Sequence, residues 1–196
     1  MEVQATRGLR LARVVAAGVL LLGLWQGAWG REVDPELRAR LKAMVEDGSE
    51  FPDRYAAEVW LLDMAARLEG RLPDAGRRLG LLRAVYREAR RNRLPPELVL
   101  AVIEVESGFD RFAISRSGAR GLMQVMPFWL EEIGHPEDNL FQVDTNLRYG
   151  CAILRYYLDR HKGDLGRALA AYNGSLGRHA YPNRVLQALA ERWYRQ

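Results

Sequence analysis

The chain has 196 residues, enough for one compact domain with a small extension, and a formal net charge of +4. This charge is mild, and no run of Lys and Arg is interleaved with aromatic residues, so the sequence does not indicate a nucleic-acid-binding protein. The single cysteine, Cys151, excludes an internal disulfide, and the fold must therefore be stabilised by core packing.

Residues 1–30 have the pattern of a secretory signal peptide. Arginines precede an uncharged stretch at 14–30, and Ala28-Trp29-Gly30 fits the small-x-small rule for cleavage. We expect cleavage before Arg31 and export to the periplasm, with retention in the inner membrane by an uncleaved signal anchor as the alternative. No cysteine lies near this point, which argues against a lipoprotein anchor.

Residues 31–92 are predicted to form a helical extension. Asp34-Pro35 begins a helix that ends near Gly48, Pro52-Asp53 begins a second that ends at Gly70, and Pro73-Asp74 begins a third. Proline is favoured at the first helical position because its missing N–H would have no partner there. The apolar stripes of these helices predict that the extension packs on the domain that follows.

The next predicted helix begins at Pro95-Pro96 and ends before Gly108. Its residues 98–105 are apolar on every face except at Glu104, which indicates a helix buried in the domain. Glu106 falls in the last turn, where the helix dipole and burial both raise a carboxyl pKa. A carboxyl that stays protonated near neutral pH can act as a general acid, although a solvated glutamate at a helix end fits the helix equally well.

The remaining sequence is also predicted to be helical. A short helix over 128–133 is closed by Gly134, and helices over 144–161 and 164–172 each have an aspartate as N-cap, while Asn183 caps the last helix. Cys151 lies on an apolar stripe, which predicts a buried and inert thiol. The sequence contains no alternation of apolar and polar residues longer than the loop at 112–120, so no longer strand is predicted.

Three ordered blocks of this sequence resemble one family. Glu106-Ser107 is followed by AISRSGARGLMQVMP at 113–127 and by Ala170-Ala171-Tyr172-Asn173. In this combination they resemble the catalytic domain of the soluble lytic transglycosylases, over about residues 94–193. The resemblance implies a mainly α protein with a goose-type lysozyme-like (SLT) catalytic domain at 93–196, preceded by the helical extension at 31–92.

The resemblance also implies roles for individual residues. Glu106 is the single catalytic acid and base, Gln124 hydrogen-bonds substrate from the cleft floor, and Tyr172 contacts Glu106. The implied substrate-binding residues together are Gln124, Tyr172, Ser115, Ser117, Asn173 and Met123. Each also has an ordinary structural explanation, because a glutamine can cap a loop, a tyrosine can pack in a core, and serines are common in turns.

The reaction implied by the family needs one carboxylate instead of two. Most glycosidases flank the scissile bond with two carboxyl groups. With Glu106 alone, the N-acetyl group and 6-hydroxyl of the substrate act as nucleophiles, and the bond between N-acetylmuramic acid and N-acetylglucosamine is cleaved to a 1,6-anhydromuramyl product. No metal or organic cofactor is indicated, since His135, His161 and His179 show no ligand spacing. We expect a monomer whose partner is the peptidoglycan glycan strand.

Two other functions remain open. A muramidase would hydrolyse the same bond with a water positioned by Asp110 or Asp138, although Asp110 can equally be a loop residue or the partner of an arginine. A non-catalytic module would bind the wall within an envelope or secretion machinery. The sequence favours neither general wall turnover nor a dedicated secretion role.

The chain departs from the family pattern after Tyr172-Asn173. The common continuation there is Ala-Gly, but this chain has Gly174-Ser175-Leu176-Gly177. The rim of the cleft, and any preference for peptide stems, is therefore left open. Tyr181 either stacks on a sugar at this rim or is the hydrophobic residue before the last helix.

Overall fold

The structure is a computed structural model that describes residues 54–194. The predicted signal peptide at 1–30 and the predicted helix that begins at Asp34-Pro35 lie outside the described residues. The described helices are α1 (Arg54–Leu68), α2 (Ala75–Arg91), α3 (Pro96–Ser107), α4 (Phe128–Ile133), α5 (Val143–Arg160), α6 (Leu165–Tyr172), α7 (Ala180–Ala188) and a π-helix (Leu189–Trp193). Only isolated β-bridges occur at residues 54–194, so the prediction of a mainly α protein is confirmed.

Most helix ends follow the local signals in the sequence. Asp74 and Asp164 cap α2 and α6 by accepting the backbone N–H of the third residue beyond, at 2.7 Å and 2.9 Å. Two predicted caps are wrong. Asp144 lies inside the first turn of α5, where an acid complements the helix dipole, and Gln142 is the N-cap. Asn183 lies within α7, because Pro182 is in the first turn and its missing N–H costs no hydrogen bond there.

Helix α3 lies at the centre of the domain. Its residues from Leu98 to Ile103 are at most 2% exposed, as the run of apolar residues predicted. Helices α2 and α7 and the π-helix contact α3, while α5 packs on α2 and α6. The end of α3 is therefore held in place by elements from both ends of the described chain.

Helix α1 contacts the remainder of the domain through polar side chains. The indole N–H of Trp60 donates to Glu97 at 3.0 Å, and Arg67 donates to the carbonyl oxygens of Arg192 and Tyr194, each at 3.1 Å. Trp60 itself is 3% exposed and packs on Tyr86. The division between an extension and a catalytic domain at residue 93 stays a prediction.

Glu104 connects three separate parts of the chain. Its carboxylate accepts from Arg71 at 2.5 Å, from Arg192 at 2.9 Å and from the indole N–H of Trp193 at 2.7 Å. The carboxylate is only 11% exposed, so these charge-assisted bonds are partly shielded from water. Glu104 thereby fastens the C-terminal π-helix and the turn after α1 onto α3.

None of the helices in the described part of the chain is long and apolar enough to cross a membrane.

We expect Glu104→Gln to lower the free energy of unfolding by about 1–3 kcal/mol in urea titrations. The range lies below that of fully buried pairs because Arg71 and Arg192 are 40% and 37% exposed. The control is Glu191→Gln, whose carboxylate is 53% exposed and pairs with the same Arg192 at 3.2 Å. That exposed pair is worth about 0–1 kcal/mol, so equal losses in the two variants would contradict the anchoring role of Glu104.

Candidate active site

Glu106 lies in the last turn of α3, which ends at Gly108 in the left-handed conformation (φ 58°). Burial raises the pKa of the Glu106 carboxyl above its ordinary value. The side chains of Tyr181 and Asn173, as hydrogen-bond donors, and the charge of Arg184 lower this pKa in part, but the net shift is upward. The sequence predicted this direction, and the carboxyl is thus biased toward its protonated form.

Tyr181 is an unusual neighbour of Glu106. The side chain is 4% exposed, and its hydroxyl has no hydrogen bond of standard geometry within the described residues. As a nearby donor, the hydroxyl lowers the pKa of Glu106. The pKa of Tyr181 itself is raised, mainly by burial and secondly by the charge of Glu106. The Arg184 guanidinium lies 5.9 Å from the Tyr181 ring centre. A ring buried to this extent has no free face on which a sugar could stack. Of the two possibilities for Tyr181 that the sequence left open, stacking is therefore not supported.

The backbone after Glu106 is held in a rare conformation. The Ser107 hydroxyl lies 2.8 Å from the carbonyl oxygen of Leu122 and 3.1 Å from that of Ile103, and so ties the helix end to the following loop. Phe109 has φ 72°, which is strained for a bulky residue. Its ring is 7% exposed and packs edge-on against Trp193 with centroids 5.7 Å apart. This packing holds the strained turn in place.

The loop from Arg120 to Gln124 is positioned by Asn146, which is 1% exposed. The Asn146 side chain accepts the N–H of Met123 at 2.7 Å and donates to the carbonyl oxygens of Arg120 and Leu140 at 2.8 Å and 2.9 Å. A Cβ at Gly121, where φ is 75°, would come within 2.4 Å of both Asn146 and Leu140. Glycine at 121 is therefore required for the loop to approach α5.

Gln124 has φ 51° and is held within this loop. Its amide nitrogen donates to the carbonyl oxygens of Ala113 and Gly121 at 3.1 Å and 2.9 Å. The side-chain oxygen makes no hydrogen bond to the described residues and can accept one from a ligand.

Tyr172 and Met123 lie in the site differently from the sequence expectation. The Tyr172 hydroxyl donates to the carbonyl oxygen of Met123 at 2.7 Å and not to Glu106. Glu106 is close enough to influence Tyr172, because its charge is the second cause, after burial, of the raised pKa of Tyr172. The Met123 side chain is fully buried and packs on Gly150 and Cys151 instead of lining a cleft. Met123 therefore contributes its backbone, and its side chain belongs to the core.

The predicted serines lie together in a turn. The Ser115 and Ser117 hydroxyls are 2.9 Å apart, and Ser115 also accepts the N–H of Ala119 at 3.0 Å. Ser117 is exposed. The two hydroxyls are thus accessible, as a substrate contact requires. Their hydrogen bonds to each other and to Ala119 would also explain them as ordinary turn residues.

The two aspartates considered as alternative bases are engaged elsewhere. Asp110 accepts the backbone N–H of Phe112 at 2.8 Å, which makes it a loop residue. Asp138 accepts from Tyr149 at 2.8 Å and from Arg148 at 3.2 Å. Neither aspartate is among the groups that shift the pKa of Glu106. In the described residues, Glu106 is accordingly a solitary carboxyl at this site.

The structure adds residues that the sequence analysis had not assigned to the site. Arg184 reaches Glu106 from α7, and Ser107 and Asn146 fix the loops around it. Tyr181 was considered from the sequence only for stacking on a sugar, and its contact with Glu106 was not predicted. The Glu-Ser pair was noted as a motif without a function for its serine. The others lacked a signal because their contacts join positions far apart in the chain.

A family model and curated proteins match part of this chain. The model of the family described as "Transglycosylase SLT domain" matches residues 83–192. The match begins inside α2, upstream of the predicted boundary at residue 93.

Among curated proteins, the "Transglycosylase" of Enterobacteria phage PRD1 is 36% identical over 101 residues, which are 48% of this chain and 37% of the relative. The "Membrane-bound lytic murein transglycosylase C" of Yersinia pestis (strain Pestoides F) is 32% identical over 109 residues, 47% of this chain and 30% of the relative. The chain thus spans about a third of the length of these relatives.

Two solved structures are also similar. An inactive mutant of the lytic transglycosylase Slt from Pseudomonas aeruginosa is 29% identical with a TM-score of 0.47, over 62% of this chain and 22% of that chain. The 70 kDa soluble lytic transglycosylase from Escherichia coli is 26% identical with a TM-score of 0.43, over 71% of this chain and 24% of that chain.

The raised pKa of Glu106 predicts a gain in stability for Glu106→Gln at neutral pH. The native state holds its proton at higher pH than the unfolded state, so stability falls as pH rises from the unfolded value, about 4.5, through the folded value. The melting temperature of Glu106→Gln should therefore match wild type at pH 4 and exceed it at pH 8.

The exposed Glu137 supplies the control, because Glu137→Gln should follow wild type at both pH values. A Glu106→Gln difference that is the same at pH 4 and pH 8 would show that Glu106 does not carry the shift.

Proposed function

Because the chain belongs to the transglycosylase SLT domain family, we propose that it is a peptidoglycan lytic transglycosylase. It cleaves the β-1,4 bond between N-acetylmuramic acid and N-acetylglucosamine without water and leaves 1,6-anhydromuramyl ends. The observation that carries this proposal is the solitary carboxyl of Glu106, desolvated at the end of α3 and faced by a phenol, an amide and a guanidinium.

Glu106 serves twice in the proposed reaction. Its raised pKa keeps a proton available, which passes to the glycosidic oxygen as the bond to the anomeric carbon breaks. The N-acetyl group of the muramic acid residue stabilises the anomeric carbon. The 6-hydroxyl of the same residue then attacks this carbon. The Glu106 carboxylate takes the hydroxyl proton, so that the acid is restored and no water is consumed.

Neighbouring residues act on Glu106 and on the sugar. Tyr181, Asn173 and Arg184 stabilise the carboxylate that exists between the two proton transfers, since each lowers the pKa of Glu106. The free side-chain oxygen of Gln124 accepts a hydrogen bond from substrate. The exposed Ser117, with Ser115, contacts the N-acetyl group, and Tyr172 fixes the loop through the carbonyl oxygen of Met123.

The alternatives are less well supported. A muramidase needs a base to activate water, but Asp110 caps a turn and Asp138 is bound to Arg148 and Tyr149. A wall-binding module has no need of a desolvated carboxyl, which weakens the folded state at neutral pH.

The signal pattern at residues 1–30 supports export, so the proposed site of action is the periplasm, where the wall substrate lies. The catalytic unit is proposed to work as a monomer.

Mass spectrometry of purified peptidoglycan after incubation with the protein tests the function. Wild type should release anhydro-ended muropeptides, and Glu106→Gln should reduce the rate by about 10²–10⁴-fold, the usual contribution of a general acid and base. Glu137→Gln, at an exposed position, serves as the matched control and should retain activity. Reducing ends one water heavier would identify a hydrolase, and an absence of products would favour the binding module.

Tyr181→Phe should move the pH profile of kcat/KM. The alkaline limb reports loss of the Glu106 proton, and removal of a donor that lowers the Glu106 pKa must shift this limb to higher pH. We expect the rate at the optimum to fall about 10-fold, the equivalent of one hydrogen bond to a charged group.

Tyr194→Phe is the control for Tyr181→Phe, because Tyr194 is 65% exposed. A limb that stays in place, or moves to lower pH, would show that the Tyr181 hydroxyl does not stabilise the carboxylate.

A further inference from the structure

A pocket of about 560 Å³ lies beside the segment where the chain departs from its family. One wall is formed by residues 176–179, and the others by His161 directly after α5 and by residues of α6 with its N-cap Asp164. A pocket of this volume can hold a small molecule or part of a short peptide. It is separate from the groups that surround Glu106.

The polar lining of this pocket is mainly basic. His161, Arg167, Arg178 and His179 line it, and Asp164 is the one acid among its described lining residues. Asp164 is already engaged, since it caps α6 at 2.9 Å and lies 3.5 Å from the Nε of Arg167.

Three other basic residues of the pocket have no side-chain partner within the described residues. The side chains of His161, Arg178 and His179 make no hydrogen bond or ion pair with a described residue. The Arg178 guanidinium and the two imidazoles, together with the exposed Leu176, favour a ligand with an anionic group and a short aliphatic part.

The pocket lies within reach of a sugar bound at Glu106. Asn173 faces Glu106, and Arg178 follows it five positions later in the chain, a span of at most about 18 Å. Backbone hydrogen bonds from Ser175 to Ala170 (2.7 Å) and from Arg178 to Ser175 (2.9 Å) fold the segment back onto α6 and shorten this distance.

We propose that the pocket of His161, Arg178 and His179 binds a carboxylate of the peptide stem that the muramic acid residue carries. The inference rests on the proposed function. A stem of four or five residues spans at most about 14–18 Å, which is long enough to cover the separation of at most about 18 Å between Asn173 and Arg178. Arg178 binds the carboxylate through its planar guanidinium, and the two imidazoles donate further hydrogen bonds.

The kinetic test compares two forms of the same purified peptidoglycan, one with free stem carboxylates and one with those carboxylates chemically amidated. Wild type should release anhydro products about 5–20-fold faster from the free form, as expected for a charge-assisted hydrogen bond. Arg178→Gln should lower the rate on the free form to that on the amidated form and leave the amidated rate unchanged.

The control for Arg178→Gln is Arg83→Gln, because Arg83 is an exposed arginine of α2 outside the pocket. It should behave as wild type on both substrates. Equal losses on the two substrates in Arg178→Gln, or a wild-type enzyme indifferent to amidation, would overturn the carboxylate site.

A binding measurement separates failure of this proposal from failure of the proposed function. In an NMR titration, the free stem peptide should shift the ring signals of His161 and His179, and its fully amidated form should leave them in place. This result requires no turnover, so it would stand even if no anhydro product were found. Inorganic phosphate acting as strongly as the peptide, or rings that do not respond to the peptide, would overturn the assignment.

Discussion

The end of α3 is the constraint on which the site depends. Gly108 and Phe109 are both in the left-handed region, at φ 58° and 72°, and they turn the chain away directly after Glu106-Ser107. A phenylalanine adopts this conformation only where packing compensates for the strain, and here the Trp193 ring provides it. Trp193 is in turn bound to Glu104, one helical half-turn before Glu106. The turn that exposes the catalytic candidate is thus stabilised from the C-terminal end of the described chain.

Two glutamates on the same helix have opposite environments. Glu104 is satisfied by two arginines and an indole, whereas Glu106 is desolvated and only partly compensated by Tyr181, Asn173 and Arg184. The first stabilises the fold, and the second weakens it at neutral pH because a raised carboxyl pKa opposes folding once the group ionises. Stability and chemistry are therefore divided between two glutamates half a turn apart on one helix, a common relation between structural and functional groups.

The sequence predicted what depends on local chemistry. Proline at the start of α3, Gly108 at its end and the caps Asp74 and Asp164 are signals contained within a few residues, and the structure retains them. The apolar run before Glu106 likewise predicted its burial. Where two local signals competed, as at Asp144, the choice of cap was wrong because extended backbone at Gln142 began the helix earlier. The contacts of Tyr181 and Asn146 depend on tertiary packing between distant segments, which no short pattern encodes.

The environment of Glu106 suits a group that must exist in both protonation states. Burial favours the protonated acid. A carboxyl surrounded only by apolar groups would therefore be a poor proton donor, because nothing would stabilise the carboxylate that forms when the proton leaves. Here a phenol without another partner, an amide and a guanidinium lie beside it and counter part of the desolvation. The Tyr181 hydroxyl can form its hydrogen bond when the carboxylate appears, because it has none to break within the described residues. The pKa of Glu106 is thus raised, but the neighbouring groups still stabilise its carboxylate form. Under this condition one carboxyl can serve as acid and then as base.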